Sequence, residues 1–311
     1  MPAKLFSHMY WSLGKSLYNL DVQRRKKSAN AVLKEIDLGI QIKYLEIGDP
    51  EKETIVIFHG FSDNKESFLH IALRLMNDYH LIIPDMPGFG ENKQEEKFSY
   101  TIEQYSEWMN DFLNKIVPSK FHLIGHSMGG AIAAYISSEG CDRMLSLTIL
   151  CGGGVITLPL VGFYKNLAEG DNLFSIKNKK DFSKFLNTNF HKKPFMPGSV
   201  KHFIYRRYAD NYNWYNKIMN DLIGDNINHQ LSELPDTALN DRLKDINVPT
   251  LVAWGEQDGL FPHDVIGQEY HRNIKNSQFS LIKDAGHCVN MEAPSKFSAV
   301  YRQFLSNLQV N

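Results

Sequence analysis

The chain has 311 residues, which fits one large domain or a domain carrying an insertion. Apolar residues make up 43% and charged residues 22%, enough for a sizeable core, which excludes global disorder. The formal net charge of −1 offers no basic excess, which sets nucleic acid aside as a partner.

At the N-terminus, Leu5, Phe6, Met9, Tyr10, Leu13, Leu17 and Leu20 fall at helical spacing on one face. Lys4 and Lys15 lie elsewhere on the wheel, and Arg24-Arg25-Lys26-Lys27 follows. Such a helix over residues 1–30 can lie on an anionic membrane through residues 1–27. It can also pack on the protein's own body or on a partner subunit. Packing on protein is favoured, because an apolar stripe is more often buried. A secretory signal is not expected, since His8, Ser12, Gly14 and Lys15 interrupt any continuous apolar region. No apolar run reaches the length that spans a bilayer, so the expected location is cytoplasmic, at most peripheral on a membrane. The three cysteines, Cys141, Cys151 and Cys288, are odd in number and widely spaced, and form neither a disulfide framework nor a zinc signature.

From Ala31 onwards short apolar strands alternate with helices. Val32-Leu33-Lys34-Glu35-Ile36 and Ile40-Gln41-Ile42-Lys43-Tyr44-Leu45-Glu46 read as an antiparallel pair around Asp37-Leu38-Gly39. Thr54-Ile55-Val56-Ile57-Phe58 is a buried strand entering His59-Gly60-Phe61. A helix over 66–76 follows, then the strand Leu81-Ile82-Ile83-Pro84 and the loop Asp85-Met86-Pro87-Gly88-Phe89-Gly90. Asp85 is expected to stabilise its own turn. Residues 101–116 form a helix that Thr101 caps. After the segment 121–139 comes the strand Leu145-Ser146-Leu147-Thr148-Ile149-Leu150. The alternation stops after Gly152-Gly153-Gly154 and resumes at Thr250-Leu251-Val252-Ala253-Trp254 and Phe279-Ser280-Leu281-Ile282, with a closing helix over 294–308. This predicts an α/β fold with a mostly parallel twisted sheet covered on both faces. The core is assigned to residues 31–154 and 242–311. Residues 155–241 form a helical insertion that roofs the carboxyl ends of the strands as a cap.

Phe121-His122-Leu123-Ile124 leads into Gly125-His126-Ser127-Met128-Gly129, and an apolar helical run follows at once. Strand, tight turn and helix in that order are the context of a nucleophile elbow. Glycines on either side relieve the collisions of so sharp a bend. The helix N-terminus beneath Ser127 offers unpaired N–H groups and a positive dipole end, which suit an anionic intermediate.

A serine hydroxyl needs a base, and the base needs an orienting acid. The order Ser127, Asp258, His287 supplies both, Asp258 from the loop after Trp254 and His287 from the loop after Ile282. Rival acids are Glu256, Asp264 and Asp284. Among the other histidines, His122 is a strand residue, His59 and His126 support loops, and His191, His202, His229, His263 and His271 lie on polar segments. Two backbone N–H groups, of Phe61 and Met128, are the candidate oxyanion donors. Phe61, Phe163, Phe195, Trp214, Leu260 and Val289 are candidate pocket residues. There is no His-Glu-x-x-His, no Cys-x-x-Cys, no phosphate loop and no dinucleotide fingerprint, so neither metal nor organic cofactor is expected.

Taken together, His59-Gly60-Phe61, Asp85-Met86-Pro87-Gly88-Phe89-Gly90, the pentad around Ser127, Trp254-Gly255 with Asp258, and Gly286-His287 with Met291-Glu292-Ala293-Pro294 resemble the serine α/β hydrolases. Closer still, the chain is similar to the branch of monoacylglycerol-lipase-like and cold-adapted bacterial lipases. That resemblance implies hydrolysis of carboxylic esters with apolar acyl chains, a helical cap and, in some members, membrane association. The alternative is a carbon–carbon or thioester hydrolase using the same triad. Carbon–carbon hydrolases usually carry Gly-Gly-Pro-Gly after the third strand, where this chain has Gly60-Phe61-Ser62-Asp63. Haloalkane dehalogenases and epoxide hydrolases carry aspartate at the elbow, where this chain has serine.

Overall fold

The computed structural model describes residues 2–223 and 238–308, with side chains from residue 8 onwards. His229 and the side chains of Leu5 and Phe6 lie outside the described residues.

Eight strands form one sheet: β1 (Val32–Asp37), β2 (Gln41–Ile47), β3 (Thr54–Phe58), β4 (His80–Pro84), β5 (Phe121–His126), β6 (Met144–Leu150), β7 (Thr250–Gly255) and β8 (Ser277–Ile282). Their order is β1-β2-β4-β3-β5-β6-β7-β8. Pairs β1–β2 and β2–β4 are antiparallel, and every later pair is parallel. Strands β3, β4 and β5 are buried along their whole length, as strands of a parallel sheet covered on both faces are.

The long α1 (Pro2–Ser28) precedes the sheet. Within the core lie α2 (Leu69–Leu75), α3 (Ile102–Ile116) and α4 (Met128–Ser138). The expected helix at 66–76 splits into a 3₁₀ turn, Lys65–Phe68, and α2. Thr101 caps α3 by accepting from the Gln104 N–H at 3.3 Å. Between β6 and β7 come α5 (Gly162–Ala168), α6 (Lys179–Asn189), α7 (Gly198–Asp210) and α8 (Tyr212–Ile223), with no strand among the described residues there. The chain continues with α9 (Gln268–Asn273), α10 (Val289–Glu292) and α11 (Pro294–Leu308). Helix α3 packs against α4, and α2 against α11.

Helix α1 lies on α7 and α2, so it does cover the protein's own body. Of the apolar stripe, Tyr10 joins this contact, its ring 5.8 Å from that of His202 in α7, but the rest of the described stripe does not. Gly14 meets the Ser199 backbone of α7 so closely that a Cβ there would collide with it. Beside it, Trp11 and Tyr18 set their rings against Phe203, and Arg207 covers the Tyr18 ring. Further along, Lys26 reaches Glu66 at 2.6 Å. Met9, Leu13, Leu17 and Leu20 face outward, 63%, 53%, 39% and 68% exposed. A glycine allows closer helix approach than any leucine, and that contact turned these four residues away from α7.

Candidate active site

Ser127 stands between β5 and α4 with φ 54° and ψ −119°, a left-handed conformation that costs about 1–3 kcal/mol in a non-glycine residue. The surroundings hold it there. Its N–H donates to the Leu150 carbonyl at 3.0 Å, and its own carbonyl accepts from Gly130, Ala131 and Gly153. Gly125 lies so close to the Gly129 carbonyl that a Cβ would overlap it, which is why a glycine precedes the bend. Ser127 thus becomes the N-cap of α4, and the helix's unpaired N–H groups open beside its hydroxyl.

The loops after β7 and β8 bring the expected partners together. His287 Nδ1 donates to Asp258 Oδ2 at 2.9 Å, with both residues buried. Asp258 Oδ1 accepts from the Leu260 and Phe261 N–H groups at 2.8 and 3.0 Å, so the carboxylate is anchored by its own loop. With Nδ1 carrying the proton, Nε2 is the ring's acceptor. The His126 ring, next in sequence to Ser127, lies 4.9 Å from the His287 ring, centroid to centroid. Its Nε2 donates to the His287 carbonyl at 3.0 Å, because a carbonyl can only accept. His126 is therefore a strut between the elbow and the histidine loop. Burial, joined by the neighbouring His287, holds its pKa down at about 3. Of the rival acids, Asp284 binds Lys192 and Lys296 at the surface, where those hydrogen bonds hold its carboxyl down at about 2.

The loop after β3 borders the same serine. A Cβ on Gly60 would sit 3.0 Å from Ser127 Cβ. Among the described residues, neither the Phe61 nor the Met128 N–H donates a hydrogen bond. His59 supports this loop as a neutral ring. Its Nδ1 donates to the Gly60 carbonyl at 2.7 Å and its Nε2 accepts from Met86 N–H at 2.8 Å. Burial pushes its pKa down, consistent with a nitrogen that must stay bare. Asp85, as expected, holds its own turn, accepting from the Glu91 N–H at 2.8 Å, and it also binds the buried Lys65 ammonium at 2.6 Å.

A cavity of about 90 Å³ borders Ser127. Met128, Ala131, Ile102, Leu239 and the end of α8, with Met219, Leu222 and Ile223, line it. Phe61, Phe163 and Leu260 line it, as the sequence led one to expect, and so do Tyr164, Phe174 and Phe261. Three expected pocket residues do not. Phe195 sits in a loop between two prolines and is 94% exposed. Trp214 turns its indole to the Gly88 carbonyl at 2.8 Å and packs on Tyr100. Val289 is buried in α10, outside the lining.

Cys151 escaped the sequence reading. It ends β6 beside Ala253 of β7, and its sulfur comes within 4.8 Å of the Asp258 and His287 ligand atoms. Its position at the end of the strand next to the one that delivers Asp258 was the available signal. The three-glycine run that follows is also part of the site: Gly153 N–H reaches Ser127, and Gly154 N–H donates to the Tyr164 hydroxyl at 2.7 Å.

Comparison with known proteins identifies the family of the fold. The alpha/beta hydrolase fold family matches residues 53–294. Lipase 1 of Psychrobacter immobilis is 27% identical over 291 residues, spanning 93% of this chain and 88% of its own. Monoacylglycerol lipase abhd6-B of Xenopus laevis is 27% identical across 88% of this chain and 84% of its own. The crystal structure of a membrane phospholipase A, a bacterial virulence factor, superposes with a TM-score of 0.85 at 25% identity, covering 99% of this chain and 95% of that one. With a nucleophile-elbow serine, a buried Asp–His pair and a family match over most of its length, the chain belongs to the alpha/beta hydrolase fold family.

Proposed function

We propose that the chain is a carboxylic ester hydrolase, a lipase or esterase that cleaves esters of apolar acyl chains through an acyl-enzyme on Ser127. His287 Nε2 takes the hydroxyl proton as Ser127 attacks the ester carbonyl, then returns it to the departing alcohol. Asp258 fixes the Nδ1–H tautomer and stabilises the imidazolium. The N–H groups of Phe61 and Met128 receive the oxyanion, helped by the dipole of α4. Water then attacks the acyl-enzyme with His287 again as base. The Asp258–His287 bond at 2.9 Å, set beside a serine that opens into an apolar cavity, carries this reading. The relatives named as lipases support the ester class.

In this reading the acyl chain lies along Met128 and Ala131, gaining about 0.8 kcal/mol per buried methylene. The segment 155–241 acts as a cap, since α5 and α8 supply Phe163, Tyr164, Met219 and Leu222 to the cavity wall. kcat/KM on nitrophenyl esters should rise as the acyl chain grows from two to eight carbons; a steady fall would refute the apolar-acyl preference. The carbon–carbon alternative fares worse, because ring-cleavage products carry a carboxylate. Among the described residues the cavity wall holds no cation to meet one.

The outward stripe of α1 supports a peripheral contact with an anionic membrane. Met9, Leu13, Leu17 and Leu20 supply the apolar face, with Lys15 and Arg24 exposed on the same helix. No described helix is long and apolar enough to cross a membrane.

A further inference from the structure

The end of β6 sets a third polar side chain against the Asp258–His287 pair. Cys151 Sγ, a carboxylate oxygen of Asp258 and a ring nitrogen of His287 lie within 4.8 Å of one another, and all three residues are buried. Two of the three are anchored to backbone. The Gly255 N–H donates to Cys151 Sγ at 3.3 Å, and Asp258 is held by the N–H groups of Leu260 and Phe261. Thiolate, carboxylate and imidazole together suit zinc or cadmium and are a poor set for magnesium or calcium. Metal–ligand bonds of about 2.0–2.3 Å put ligand atoms roughly 3.3–3.7 Å apart around a tetrahedral centre. The Asp258–His287 contact at 2.9 Å would open by about half an ångström, and the sulfur would close by about an ångström at most.

We propose that Cys151, Asp258 and His287 form a latent inhibitory site for a thiophilic divalent cation, zinc or cadmium. Its inhibitory effect rests on the reading of His287 as the general base; cation binding does not. The cation takes the place of the proton between Nδ1 and Asp258, and that proton moves to Nε2. The thiol proton leaves to solvent, so one proton is released for each cation bound. Thiolate and carboxylate balance the two positive charges, and the imidazole stays neutral. Nε2 then carries hydrogen and cannot accept the proton of Ser127.

The test is titration with cadmium, whose bond to sulfur gives an ultraviolet charge-transfer band. The intact chain and Ser127→Ala should both saturate at one equivalent, in step with loss of ester hydrolysis in the intact chain. A chelator should restore activity. Cys151→Ala should lose the band, and Cys288→Ala, which removes the other thiol near His287, should keep it. A band that persists in Cys151→Ala, or no band at all, overturns the proposal. Should Cys151→Ala fail to fold, Cys151→Ser decides, and a band of undiminished strength in that variant is equally fatal. If the metal-free chain hydrolyses no ester, the enzyme reading fails, while the band in Ser127→Ala still judges the cation site.

Discussion

The elbow and the N-terminal helix obey opposite rules. At the elbow, neighbours in sequence supply the steric part of the constraint, and β6 and the histidine loop brace it. Gly125 clears Gly129, Ser127 is tied by its own backbone to β6 and α4, and His126 braces the loop that carries His287. In α1 the constraint comes from far away. Ser199 and Phe203 decide which face turns inward, and Met9, Leu13, Leu17 and Leu20 of the apolar stripe are left outside. A motif set by local sterics can be read from its own letters. An amphipathic helix shows only that it has two faces, and its partner decides which is buried.

This contrast can be broken at either end, beginning with the largest effect. Ser127→Ala should lower kcat by roughly 10⁶-fold and abolish fluorophosphonate labelling, and Asp258→Asn should cost about 10⁴-fold. Label on another residue in the Ser127→Ala chain would move the nucleophile away from the elbow.

The buried ring beside Ser127 sharpens the same end. Above pH 6.5, His126 is neutral in the folded and the unfolded chain and contributes no pH dependence. Below 6.5 the unfolded chain takes up a proton that the folded one refuses until about pH 3, so stability falls with pH by about 1.4 kcal/mol per unit. Denaturant titrations from pH 6.5 down to 4 should show a shallower slope in His126→Asn. An identical slope would mean that the ring is not held neutral.

At the other end, Gly14→Leu should pry α1 from α7 and cost roughly 1–3 kcal/mol through overpacking. An unchanged melting temperature would show that the contact is loose. Leu13→Glu touches only the outward stripe. It should weaken binding to anionic vesicles about tenfold and leave hydrolysis of a soluble ester unaltered. Vesicle binding equal to that of the unaltered chain would remove the membrane role. These point substitutions are cleaner than removing residues 1–27. The truncation would also strip Trp11, Gly14 and Tyr18 from α7 and Lys26 from Glu66.

The pocket shows where sequence reading stops. Phe61 and Leu260 were legible because each lies beside a motif residue. Phe163, Phe195 and Trp214 are all apolar side chains of the insertion; the first lines the cavity, the second is exposed and the third packs on the loop after β4. Apolarity alone does not separate these outcomes, because the orientation of each cap helix is a tertiary quantity. Cys151 was missed for a similar reason. Its neighbours, Gly255 and Asp258, are 104 and 107 positions away in sequence and adjacent only across β6 and β7.

By itself the amino-acid sequence determined the alternation of strands and helices, the bend at Ser127 and the order of serine, acid and histidine. Each of these follows from local sterics, periodicity or the ends of particular strands. Tertiary structure alone decided which face of α1 is buried, which apolar side chains of the insertion reach the serine, and that a thiol stands behind the acid. Those outcomes depend on close approach between segments far apart in the chain, and no pattern within either segment encodes that distance.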